Sequence, residues 1–140
     1  MRICIDSCVF IHAARREKSA ERRVITLISP TLQLVIPRLV AQEVTRNLHS
    51  TEQVRRFYRL FHDLDAASIV DEPIPVELVT KYVKLGLPAK ADAYIGAFAE
   101  WMQVSYLISD NRHFLQELHT NAFEILDAET FITRWEKDIL

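Results

Sequence analysis

Arg2-Ile3-Cys4-Ile5-Asp6 constrains the fold more than any other segment of the chain. Its apolar residues follow one another without the alternation of a half-exposed strand. A run of that kind belongs in the middle of a parallel sheet covered on both faces. The carboxyl ends of such strands form the binding crevice of open α/β sheets. An aspartate at that place, followed by Ser7 and then by apolar Val9-Phe10-Ile11, is costly to the structure and useful to chemistry.

The same short signature recurs at Leu32–Ile36, Ser68–Val70, Val104–Ile108 and Phe123–Leu126. Between these runs the apolar residues fall at helical spacing. The pattern predicts a helix over Val9–Ala14 and another from a Ser19 cap to Pro30. Pro37 is expected at the first position of a helix carrying Leu39, Val40, Glu43 and Val44. Further helices are expected over Glu52–Leu64, from Pro75 to Gly86, over Ala89–Met102, briefly around Phe114 and Leu115, and from Asp127 or Thr130 onward. Strands alternating with helices imply an α/β fold: one domain over residues 1–140, with a central parallel sheet of about five strands in an α/β/α arrangement.

Charge is unevenly placed. Residues 1–63 hold 11 Lys/Arg against 6 Asp/Glu, and residues 64–140 hold 6 against 13. The positive charge gathers at Arg15, Arg16, Lys18, Arg22 and Arg23, and again at Arg55, Arg56 and Arg59. Clustered arginines can dock phosphates, although a solvated helix face has the same composition. No apolar run approaches the roughly 20 residues of a membrane span. Cys4 and Cys8 suit reduced thiols of a cytoplasmic protein better than a disulfide frame or a zinc site.

Three further carboxylates stand where the pattern calls for interior positions. Glu43 borders the inward stripe of its helix, and Asp92 extends the stripe of Ile95, Phe98 and Met102 at a helix N-terminus. Asp110 follows the fourth strand as Asp6 follows the first, so parallel pairing opens both on one side of the sheet. Carboxylates crowded in a partly dehydrated cleft need protons or a cation, and an oxygen-only set favours Mg²⁺ or Mn²⁺ over zinc. Each acid also has a bland reading, as a helix cap or surface residue, but together they are far more specific. The five histidines have no metal-ligand spacing among themselves and read as surface or satisfied residues. His12 and His113 are the two near enough to the cleft to contact a phosphate. Gly86 and Gly96 are the only glycines, so no phosphate-cradling glycine loop exists.

Four segments carry a resemblance: Ile3–Ile11, Pro37–Val44, Ala91–Ala99 and Leu107–Phe114. In order and content they resemble the PIN-domain ribonucleases, and in particular the toxin components of VapBC-type toxin–antitoxin pairs. The resemblance implies a Mg²⁺- or Mn²⁺-dependent endoribonuclease whose acids are Asp6, Glu43 and Asp92. A fourth polar position lies in the Ser109-Asp110-Asn111 turn. Ser7 and Ser109 are then orienting or substrate-contacting positions, as are Arg15 and Arg16, and the arginines of residues 15–23 are expected to guide the RNA backbone into the acidic cleft. The sequence departs from the family at Asn111, where an acid is frequent, and at Cys8, where a polar residue is. Either Asp110 or Asn111 could reach the metal. The resemblance further implies a small antitoxin partner and a homodimer. The alternative, motivated by Asn111, is a non-catalytic PIN-like module that binds RNA or protein. A phospho-acceptor signalling domain fits less well, because Asp6 lacks the paired acid of that class.

Overall fold

The computed structural model describes residues 1–87 and 90–140. In chain order these are β1 (Arg2–Ile5), α1 (Ser7–Arg15), α2 (Ala20–Thr26), β2 (Gln33–Pro37), α3 (Arg38–Asn47), α4 (Thr51–Asp63) and β3 (Ala67–Val70). There follow α5 (Val76–Lys84), α6 (Lys90–Trp101), β4 (Tyr106–Ile108), a π-helical turn (His113–Glu117), β5 (Glu124–Leu126) and α7 (Ala128–Glu136). The expected start of α6 at Ala89, and Pro88 before it, lie outside the described residues.

The five strands form one sheet in the order β3-β2-β1-β4-β5, and every pair is parallel. Ile3, Cys4 and Ile5 are wholly buried, as their uninterrupted apolar character requires in a strand with helices on both sides. Helix α1 packs against α2 and α3, α2 packs against α7, and α5 packs against α6. The fold is therefore the expected α/β type, a parallel sheet flanked by helices. Among the described residues no helix is long and apolar enough to cross a membrane.

Local chemistry sets the element ends. Ser19 accepts from the Arg22 amide at 3.2 Å to start α2, Ser50 from Gln53 at 3.1 Å to start α4, and Asp127 from Thr130 at 2.7 Å to start α7. Gly86, at φ +101°, closes α5 in a conformation that side chains disfavour, and Leu87 N–H reaches back to the Tyr82 carbonyl at 3.4 Å.

Several boundaries differ from expectation, and three of them have a clear local cause. Pro37 is the last residue of β2, paired with Val70, and only caps α3. Its extended ψ of 158° continues the strand, and its missing N–H costs nothing at a strand end. Helix α2 stops at Thr26, and Pro30 lies instead in a turn closed by reciprocal Ser29–Leu32 backbone bonds. Strand β4 begins at Tyr106 because Val104 N–H is spent on the Ala99 carbonyl that ends α6.

Candidate active site

In the sheet order, β1 is followed in the chain by β2 on one side, and β4 lies on the other. The crevice of a doubly wound sheet opens at such a reversal. Asp6 leaves the end of β1 there and Ser109 leaves the end of β4, with Ile5 and Ile108 in register just below them. The Asp6 amide donates to the Ile108 carbonyl at 2.9 Å, which carries the ladder one residue past the strands. Sequence and topology thus place both strand ends side by side, as parallel pairing predicts.

Asp6 is 4% exposed. Its Oδ1 accepts from the Ser7 amide at 2.8 Å, with the Ser7 hydroxyl farther away at 3.5 Å. Its Oδ2 accepts from the Ser109 hydroxyl at 2.9 Å, and the Cys8 thiol stands 3.7 Å away. Burial raises the Asp6 pKa above the ordinary carboxyl value. The hydrogen bonds from Ser109 and Ser7 oppose the rise, and the charges of Glu43 and Asp92 add to it. The N-terminal end of α1 favours the anion but does not cancel the burial. Burial likewise pushes the Cys8 thiol up to about 12, so the side chain is a neutral wall of the cleft.

Glu43 comes from α3 and Asp92 from the first turn of α6, both half-buried. Asp92 is raised by burial, lowered by the nearby His113, raised again by Glu43 and lowered by a hydrogen bond from Asn111. These acids, with Ser7, Cys8, His12, Asp110 and Asn111, line a cavity of about 230 Å³. A hollow of about 1080 Å³ beside α5 and the π-helical turn is larger, but it gathers no such set of carboxylates. The chemistry is concentrated in the smaller cavity.

The two candidates for the fourth polar position face different ways. Asn111 Oδ1 accepts the His113 amide at 2.9 Å, and its Nδ2 points at Asp92 Oδ1 from 3.5 Å. Its backbone amide is held by the Ser109 hydroxyl at 3.0 Å. Asp110 Oδ2 lies 3.2 Å from His12 Nδ1, which is also 3.8 Å from Glu21 Oε1. Asp110 therefore borders the cleft with its carboxylate engaged by α1 and α2. Glu21 has no signal in the sequence, since the turn between α1 and α2 that returns it to His12 has no marker beyond the Ser19 cap. His12 is exposed and near the cleft, as expected, but it is also a partner of two carboxylates. His113 Nδ1 pairs with Glu117 at 2.6 Å.

The first basic cluster divides. Arg22 lies half-buried and donates to the Ala13 carbonyl at 3.0 Å, and Arg23 pairs with Glu136. Arg15, 3.4 Å from His49, and Arg16 and Lys18 are exposed, and among the described residues none of the three pairs with a carboxylate. In the second cluster Arg56 pairs with Glu52 at 3.1 Å, while Arg55 and Arg59 face solvent. Cys4 and Cys8 are free thiols.

The comparisons with known proteins agree with this geometry. The PIN domain family profile matches residues 3–130. No curated protein sequence matches the chain. Among solved structures the fold is similar to VapBC2 from Rickettsia felis, bound to a DNA fragment from its promoter. That match has 13% identity and a TM-score of 0.62, and it covers 89% of this chain and 97% of the other. It is also similar to VapBC-1 from nontypeable Haemophilus influenzae, with 16% identity and a TM-score of 0.65, covering 92% of this chain and 99% of the other. With the sheet order, the acids at its switch point and the profile match over residues 3–130 taken together, the chain belongs to the PIN domain family.

Proposed function

We propose that the protein is a cytoplasmic, Mg²⁺- or Mn²⁺-dependent endoribonuclease and the toxin of a toxin–antitoxin pair. The observation that carries this reading is Asp6, a nearly buried carboxylate raised by burial and facing two more acids across a small cleft. Among the described residues no basic side chain touches it.

The donor set fits a hard divalent cation. Each Asp6 oxygen accepts one close hydrogen bond, with a second donor farther off at 3.5 Å or 3.7 Å that a ligand could displace, and Glu43 and Asp92 supply further oxygens. Asp6, Glu43 and Asp92 would hold the ion, with Asp110 and Asn111 at the rim. When bound, such an ion polarises a phosphodiester and makes a water acidic enough to attack it. The remaining work falls to the chain. Ser109 and the Ser7 amide fix the Asp6 carboxylate, and Asn111 steadies Asp92 through its amide nitrogen. Arg15 and Arg16, exposed beyond the cleft, draw the RNA backbone toward a site whose own charge repels it. The VapBC character of the solved neighbours supports a small antitoxin as partner, and the chain is proposed to act as a homodimer in one domain.

A second reading rests on Asn111. Its oxygen already accepts the His113 amide and its nitrogen faces Asp92, so the fourth position brings a neutral amide where an acid would bring a charged ligand. A module that binds RNA or protein without cutting would tolerate that.

RNA cleavage with Mg²⁺ or Mn²⁺, on structured and single-stranded substrates, separates the two. Cleavage by the wild type that is lost in a folded Asp6→Asn variant supports the nuclease. RNA binding without cleavage by antitoxin-free, metal-loaded wild type leaves the binding module.

A further inference from the structure

We propose that His12, Glu21 and Asp110 form a second cation site, of mixed nitrogen and oxygen donors. It would take a borderline transition-metal ion such as Zn²⁺ or Co²⁺ at the edge of the acid cleft, on the side of His12 and Asp110. The inference does not rest on the nuclease reading: His12 and Asp110 also line the acid cleft, but none of the three residues belongs to the Asp6–Glu43–Asp92 set.

The three donors come from three different elements: α1, α2 and the turn after β4. Their ligand atoms all lie within 4.8 Å of one another. Donors about 2.1 Å from a tetrahedral ion stand roughly 3.4 Å apart by geometry. His12 Nδ1 lies 3.2 Å from Asp110 Oδ2 and 3.8 Å from Glu21 Oε1, on either side of that separation. An ion could therefore enter with little movement of the side chains. The two carboxylate side chains are only 23% and 21% exposed, whereas His12 is 46% exposed. One flank is thus shielded and the other open to a water or a phosphate oxygen, the three-ligand pattern with a free fourth position. Imidazole nitrogen in the set selects against Mg²⁺ and for later first-row ions.

A protonated His12 bridging two carboxylates would give the same short contacts with no metal. Co²⁺ discriminates between the two cases, since its visible absorption reports both occupancy and coordination. Metal-stripped protein would be titrated with CoCl₂ and, separately, followed by thermal unfolding with ZnCl₂. The variants are His12→Ala, Glu21→Gln and Asp6→Asn, with circular dichroism as the check on folding. The expected result is a Co²⁺ spectrum of low coordination number in wild type and Asp6→Asn. In His12→Ala its affinity falls at least tenfold, and in Glu21→Gln it is weakened. Zn²⁺ raises the Tm of wild type and Asp6→Asn but not of His12→Ala. Absence of Co²⁺ uptake by wild type would reduce the cluster to an ion pair and overturn the proposal. A spectrum that survives His12→Ala and vanishes in Asp6→Asn would place the ion in the acid cleft and overturn it equally. Neither result bears on RNA cleavage, so the two readings fail separately.

Discussion

Ser109 ties the ends of two neighbouring strands through one hydroxyl, which donates to Asp6 at 2.9 Å and accepts the Asn111 amide at 3.0 Å. Ser109→Ala removes the donor to a buried acceptor, at a cost of about 1 kcal/mol or more in stability. The variant should also bind Mn²⁺ about 10–100-fold more weakly, checked by urea unfolding and calorimetric titration. Asp6 has its own signature. Its folded pKa lies above that of the unfolded chain, as does that of Asp92, mainly through burial. Between the unfolded and folded values the native state therefore holds more protons than the unfolded state. Stability accordingly falls as pH rises through that window. Urea unfolding of chelator-treated protein across the acid range should show this fall. Asp6→Asn should flatten it and exceed wild type in stability at neutral pH. A wild-type curve that rises with pH over the same range would contradict the assignment. At this scale the gathering of Asp6, Glu43 and Asp92 into one cleft was legible, since each is a carboxylate at an interior-facing position. The direction of the Asp110 side chain was not, because turn geometry decides it and no periodicity records that.

Helix α6 carries a glycine in its interior, where alanine would ordinarily be better by about 1 kcal/mol. A Cβ at Gly96 would stand 2.7 Å from Tyr82 Cδ1 and 3.3 Å from Leu87 Cδ1. Tyr82 has little room to withdraw. Its ring is wholly buried and stacked on Phe123, and its hydroxyl is held by Glu100 at 3.1 Å with Thr120 at 3.3 Å. The close packing of α5 on α6 thus depends on the missing methyl. Gly96→Ala should lower stability by about 1–3 kcal/mol from overpacking, partly offset by the propensity gain. Thermal unfolding measures it, and a raised Tm would show that the ring can move. Element existence and order were legible along the chain because the apolar periods are clean. Ends were less so. Pro37 satisfies a strand end as readily as a helix start, and only its pairing with Val70 decides between them.

Over the whole molecule the basic residues collect in the first 63 positions, but folding uses several of them internally, as Arg22 and Arg23 show. Arg15, Arg16 and Lys18 of the first cluster stay exposed and, among the described residues, pair with no carboxylate, which leaves them available to a polyanion. Arg15→Ala and Arg16→Ala should weaken RNA binding to a similar extent across sequences. The slope of log affinity against log salt should fall by about 0.7 for each single-strand phosphate that the variant no longer neutralises. Binding by Asp6→Asn at several salt concentrations, where no cleavage intrudes, is the measurement. The charge asymmetry was visible in the sequence; which arginines stay free was not, because that depends on where α7 brings Glu136.

The order of strands also bears on when the protein can act. Strand β4 enters the sheet between β1 and β5, and it brings the hydroxyl that holds Asp6. A nascent chain that has yet to emerge past residue 111 lacks the Ser109 hydroxyl that holds Asp6, and the Asp110 and Asn111 part of its cleft wall, however well its first strands have paired. If the protein cuts RNA as proposed, a ribosome completes most of the polypeptide before that capacity can exist, and the message would be spared its own product for most of its translation.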